Sequence, residues 1–172
     1  MFRLKVVKLY FFSITRLFLL NFKNFYFKSK FYNNKLATFS PNRIFYSPST
    51  YLSASLTNIS KDFYNITKVS PKLLWEISSD QQQKFENLHG FLWLTKLDRK
   101  NSKKITKDII NSWINRYFDF NSHTWKMDIM AKRIIAWSSN IDITLEDSDQ
   151  NYKDKFFLSL VKQSNFLFKN IN

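Results

Sequence analysis

The sequence predicts an all-α protein of antiparallel helical hairpins, on three observations. One Gly and three Pro in 172 residues are too few for a β-protein rich in tight turns. Apolar residues recur at steps of three and four through the second half of the chain, the period of a helix with one buried face. Segments of similar length are joined by short polar links, which favours helices lying antiparallel side by side. A composition 44% hydrophobic and 19% aromatic is not that of a disordered chain. At this length a single domain with a sizeable core is the expectation.

Residues 1–35 form a basic, aromatic lead segment, expected to be helical. Arg3, Lys5, Lys8, Arg16, Lys23, Lys28, Lys30 and Lys35 stand among Leu, Phe and Tyr, and no acidic residue precedes Asp62. Arg16 splits the apolar run, and Phe22 to Phe31 holds no Ala-x-Ala, so the segment does not read as a signal peptide. The run Leu9 to Leu20 is shorter than the roughly 20 apolar residues of a membrane span. Leu9, Phe12, Leu17 and Leu20 follow helical spacing loosely. The expectation is a helix that packs on its own protein; the alternative is one that lies on a surface.

Residues 36–74 read as an irregular connector. Pro41 and Pro48 each follow a serine, a step that disfavours helix. Asn58-Ile59-Ser60 and Asn65-Ile66-Thr67 match the glycosylation pattern, as chance allows in a chain rich in Asn and Ser.

Residues 75–172 carry the hairpins. A first helix is expected over 84–98, with Phe85, Leu88, Phe91, Leu92 and Leu94 on one broad face. Gly90 inside it costs about 1 kcal/mol against Ala, so close approach of a neighbour is its expected reason. Ser102 is the expected cap of a second helix running to about Phe118. Ile105, Ile109, Trp113 and Tyr117 step by four, with Ile110 and Ile114 beside them. A third helix is expected over Trp125 to Asn140, striped by Met130, Ile134, Trp137 and Ile141, with Asp128 and Lys132 paired across one turn. The acidic run Glu146-Asp147-Ser148-Asp149 suits the N-terminus of a fourth helix reaching about Asn170. It lacks the spacing and glycine of a calcium loop. Tyr152, Phe156, Leu160, Val161, Ser164 and Leu167 are the expected buried side.

A formal charge of +14 favours polyanionic partners. An AT-rich coding bias towards Lys, Asn and Ile is the competing reason for it. The absence of Cys excludes disulfides, thiolate catalysis and Cys-based zinc sites. No metal or cofactor site is expected, and neither is a Gly-rich phosphate loop or a nucleophile–base pair.

Leu88-His89-Gly90-Phe91-Leu92-Trp93-Leu94 resembles the LHGFxWL element of alphaproteobacterial heparinase II/III-like proteins. Ile110-Asn111-Ser112-Trp113-Ile114 resembles LVxxWI, and Trp125-Lys126-Met127-Asp128 resembles WxPD, with Met127 in place of the proline. Lys132-Arg133-Ile134-Ile135-Ala136-Trp137 resembles xRRLIAW. Tyr152 to Leu160 resembles YxxRFLxSL, with Gln163 in the following xxQ. Lys8-Leu9-Tyr10 with Arg16-Leu17 is faintly similar to a basic lead, RLYxxTxRHL. Five motifs in one order cover most of residues 75–172.

That resemblance implies the first part of an α/α toroid, which this chain leaves incomplete; in the family a β-sandwich follows. It also implies polysaccharide lyases that cleave acidic glycans by β-elimination. An Asn or His neutralises the uronate carboxylate, and a Tyr or His moves the proton. In the family those groups lie in later helices and beyond, so no catalytic residue carries over to this chain. The expected function is an amino-terminal scaffold fragment, inactive alone. Acidic polysaccharide would be met through the remainder of the enzyme, and a downstream-encoded chain would complete the toroid. Neither a specific nucleic acid nor a transmembrane span is expected.

Trp125, His123 and Arg133 are the candidate substrate-binding residues. Sugars stack on aromatic rings, and a guanidinium holds a carboxylate. Core packing is the competing role for Trp125 and Trp93, and a bond to a neighbouring helix end for Arg133. His89, beside Gly90, reads as packing. The alternative function is a self-sufficient basic helical module that binds nucleic acid or an anionic membrane surface. If the toroid is partial, the stripes around Trp113, Trp137 and Phe156 should leave an exposed apolar patch.

Overall fold

The computed structural model describes residues 2–38, 73–76 and 80–171. Most of the expected connector, with Pro41, Pro48 and both glycosylation patterns, lies outside them. Among the described residues every regular element is helical, without strands. We label the α-helices α1 (Phe2–Lys28), α2 (Lys30–Leu36), α3 (Gln82–Gly90), α4 (Lys103–Tyr117), α5 (Met127–Ser139), α6 (Ile141–Leu145) and α7 (Gln150–Asn170). Short 3-10 turns cover Leu73–Glu76 and Leu92–Lys96.

The expected helix over 84–98 breaks at Phe91, which takes a left-handed conformation at φ 58° and ψ 9°. Phe91, Leu92, Trp93 and Leu94 are all buried. Four consecutive residues of a continuing α-helix would point to all sides of it, so burying all four needs the break. The strain at Phe91, of the order of 1–2 kcal/mol, is offset by its contacts. Its ring stacks on Trp93 at 5.3 Å and meets Trp137 edge-on at 5.3 Å. Trp93 Nε1 donates to the Leu88 carbonyl at 3.1 Å and so closes the end of α3. Gly90 stays helical, and a Cβ there would come within 3.3 Å of the Lys132 Cβ. That close approach of α3 to α5 is what its missing side chain permits.

Ser102 makes no side-chain cap for α4. Asp98 organises that turn instead, accepting from Lys100 N at 2.9 Å and Asn101 Nδ2 at 2.5 Å. The third expected helix is α5, and Ile141 of its expected stripe falls in the short α6 that follows Asn140. The Asp128–Lys132 pair is absent from the ion pairs of the described residues, because Lys132 lays its stem on Gly90. Asp149 caps α7 as an acid should, accepting from Tyr152 N at 2.9 Å.

The main core joins Leu74 and Trp75, the Leu88–Leu94 stretch, Ile109, Ile110 and Trp113 of α4, Trp137 of α5, and Tyr152, Phe156 and Leu160 of α7. Helix α5 is its centre, packing on α3 and α7, while α4 packs on α6 and α7. The dominant contacts of α5 are therefore with α3 and α7. A second, smaller core holds Phe27, Tyr32, Leu36, Trp125, Met130 and Phe166. It ties α2 and the last turn of α1 to α7.

Three apolar expectations are corrected. Trp113, Trp137 and Phe156 are fully covered; their three helices close over one another and leave no patch there. On α7 Ser164 is exposed, whereas Ser159, Lys162, Gln163 and Phe166 are buried. The buried side drifts because one end of α7 faces the main core and the other faces the second. Finally, α1 does not pack on its own protein: from Lys5 to Tyr26 no residue is buried. Its apolar side chains run round most of the helix, and the body meets only its last turn.

Candidate functional site: a buried polar node at Arg133

The residues best suited to chemistry meet inside the molecule. Arg133, on α5, is fully buried. Its Nε donates to Gln163 Oε1 on α7 at 2.6 Å. Its Nη1 donates to the carbonyls of His89 and Thr124 at 2.9 and 3.1 Å. The guanidinium carbon lies 4.1 Å from the centre of the Trp113 ring, a cation–π stack out of water. Nη2 has no hydrogen-bond partner. Burial pulls the Arg133 pKa well below its ordinary value. Three oxygen acceptors and the ring face oppose that loss and hold the group as a cation.

The acceptors explain why this side chain is an arginine. Thr124 O belongs to the loop before α5, and His89 O to the last turn of α3. Unsatisfied carbonyls gather at a helix C-terminus, and a cation is favoured there. Gln163 is held in turn, its Nε2 donating to Ser159 Oγ at 3.0 Å and Ser159 O at 3.2 Å.

His89 is the second member. Its Nδ1 accepts from Trp113 Nε1 at 3.0 Å, so the ring is neutral with its proton on Nε2, which has no hydrogen-bond partner. Phe85 lies 4.2 Å away and Trp75 5.4 Å, while the Tyr117 ring stands perpendicular at 5.2 Å. Burial, then the charges of Arg133 and Arg116, lowers its pKa to about 3. Burial also pushes the Tyr117 hydroxyl above its ordinary range. A Tyr beside a His is the pair a β-elimination uses, and the sequence did not bring Tyr117 to His89. Tyr117 is partly exposed, but His89 is fully buried and resists taking a proton at neutral pH.

Of the expected substrate-binding residues, Arg133 lies in the node. Trp125 borders it through Thr124 and is 2% exposed. It donates from Nε1 to Tyr117 O at 3.1 Å and meets Phe166 edge-on at 5.4 Å, so no ring face is free for a sugar. His123 is exposed and outside the node. Trp93 is also buried. Among the described residues no group of three or more His, Asp or Glu is placed to hold a metal ion. No described helix is long and apolar enough to cross a membrane.

Fold and node together define a helical domain whose polar side chains are spent on joining its own helices. No family model matches the chain, and neither the curated proteins nor the solved structures include a match.

Proposed function

We propose that this chain supplies helical scaffold to a heparinase II/III-like polysaccharide lyase, as the opening helices of its toroid, and does not itself carry out elimination. One observation supports the reading most. The motifs that carry the resemblance are far apart in sequence, yet their polar members meet at a single point. His89 comes from the first motif, Trp113 from the second, Arg133 from the fourth and Gln163 from the last. Thr124 adjoins Trp125, which opens the third. A series of motifs serving one buried joint is what a scaffold requires. The sealed His89, with its pKa near 3, supports structure over proton transfer.

The test is reconstitution. The purified chain is mixed with acidic polysaccharides, alone and together with a heparinase II/III-like lyase from which the corresponding helices have been removed. Unsaturated uronate ends are followed by their ultraviolet absorbance. The expected result is no product alone and restored elimination with the shortened lyase. Product from the chain alone would overturn the reading, and so would a shortened lyase that gains nothing from it.

A further inference from the structure

Helix α1 exposes Val7, Phe11, Ile14, Phe18, Phe22 and Phe25. At 100° per residue these six fall within an arc of about 80°, the densest on the helix, while Leu9, Phe12, Leu17, Leu19 and Leu20 stand exposed elsewhere round it. Phe18 is 69% and Phe25 75% exposed, far beyond the scattered apolar residues of an ordinary surface. Lys5, Lys8, Arg16 and Lys23 form a second line about a third of a turn away. The helix is tied down only at its end. Phe27 packs against Tyr32, Phe120 and Phe166, and Ser29 turns the chain into α2 by accepting from Tyr32 N at 3.2 Å.

The charge of the chain is concentrated in the same place. Residues 1–61 hold ten Lys and Arg and no acid, while residues 62–172 hold seventeen against thirteen. Whatever covers α1 must therefore be apolar where it meets Phe and Leu, and negative at the edge of that contact. Two α1 helices paired with each other fail the second condition, since they bring together cations that no acid on either helix offsets. A nucleic acid fails the first, because it has no apolar interior for the six-residue stripe. An anionic bilayer surface meets both: its acyl boundary takes the apolar arc, and lysine stems reach up to the lipid phosphates.

We propose that α1 is a docking helix that lies in the surface of an anionic lipid bilayer, with Val7, Phe11, Ile14, Phe18, Phe22 and Phe25 downward and Lys8, Arg16 and Lys23 at the phosphates. The body from Leu73 onward remains in water. This inference is independent of the scaffold reading, because no residue of α1 enters the Arg133 node.

The full-length chain is centrifuged with vesicles of phosphatidylglycerol and phosphatidylcholine, and with vesicles of phosphatidylcholine alone. Sedimentation should be at least about tenfold stronger with the anionic vesicles and should weaken as salt rises. Two variants separate the contributions. Phe11→Asp/Phe18→Asp removes the apolar contact, and Lys8→Glu/Arg16→Glu/Lys23→Glu reverses the charge; each should lose about tenfold or more. All five Trp lie outside α1, so their fluorescence checks that the body of each variant is folded. Three outcomes would overturn the proposal. One is vesicle binding unchanged by Phe11→Asp/Phe18→Asp. Another is tighter binding to a single-stranded oligonucleotide than to the vesicles, insensitive to that variant. The third is lipid-free self-association that the same variant abolishes, without vesicle binding.

Discussion

The first 26 residues and the body from Leu73 onward are both rich in Phe, Leu and Lys, yet those residues meet opposite fates. In the body Phe91, Trp113, Trp137 and Phe156 are fully buried and touch one another within 6.1 Å. In α1 Phe11, Phe12, Phe18, Phe22 and Phe25 are all exposed. Composition does not separate the two regions; spacing does. The body helices keep most of their large apolar residues on a stripe that a neighbour covers, with Met127, Ile135 and Phe168 the exposed exceptions. Helix α1 carries them on most of its circumference, and α2 meets only its end. Stability should therefore reside almost wholly in the body, and substitutions should show it.

The largest effect is expected at Trp113. Truncating a buried Trp costs about 3–5 kcal/mol, and here the change also removes the donor to His89 Nδ1 and the ring beneath Arg133. Trp113→Ala should lower the unfolding free energy by about 5 kcal/mol. Urea denaturation followed by far-ultraviolet circular dichroism measures it. A loss below about 2 kcal/mol would mean that the node is not the joint of the fold.

Arg133 comes next. Arg133→Ala leaves Gln163 Oε1, His89 O and Thr124 O without this donor, each a cost of about 1–3 kcal/mol. With partial relaxation the expected loss is about 4 kcal/mol. Arg133→Lys keeps the charge but not the planar fork and should recover only part of it. Combining Arg133→Ala with Gln163→Leu should cost less than the sum of the single changes, since the second removes an acceptor that the first orphaned. Strict additivity in that cycle would contradict the shared bond.

Acid tests the same node without a mutation. The His89 pKa falls from about 6.5 in the unfolded chain to about 3 in the folded one. The unfolded state therefore binds more protons between those values, and stability declines as pH drops through that window. At pH 4 the loss should be about 3 kcal/mol relative to pH 7, at 1.36 kcal/mol per unit of separation. His89→Gln should flatten the decline between pH 6.5 and 4, leaving the steeper carboxylate titration below it. An unchanged profile would place the acid sensitivity elsewhere.

Some of this architecture could be read from the chain alone. Helix α4 falls at Lys103–Tyr117, close to its expected limits, because Ile105, Ile109 and Trp113 state their period locally. The break at Phe91 could not be read, since nothing in a Phe asks for φ 58°. That conformation comes from neighbours on α4 and α5. The node was illegible for a related reason. Arg133 draws on residues 89, 113, 124 and 163, and spacing along one helix says nothing of groups that arrive from four places. Its competing role, a bond to a neighbouring helix end, matches the His89 carbonyl. For α1 the basic apolar character was visible, but whether anything would cover it depended on the whole surface of the body.

The smallest expected effect sharpens the comparison most. Phe18→Asp exchanges one of the largest side chains of α1 for a charge, a change that would unfold the body at Phe91 or Phe156. On α1 the ring already stands in water, so no buried contact is lost and no charge is buried. Surface substitutions of this kind stay within about 0.5 kcal/mol, and new Coulomb attraction to Lys8, Arg16 and Lys23 is screened at physiological salt. The urea midpoint should therefore hardly move. What should move is behaviour that depends on exposed apolar area, with less adsorption and association at equal concentration. An unfolding free energy lowered by more than about 1 kcal/mol would mean that α1 is covered in solution, and that both regions are stabilised in the same way.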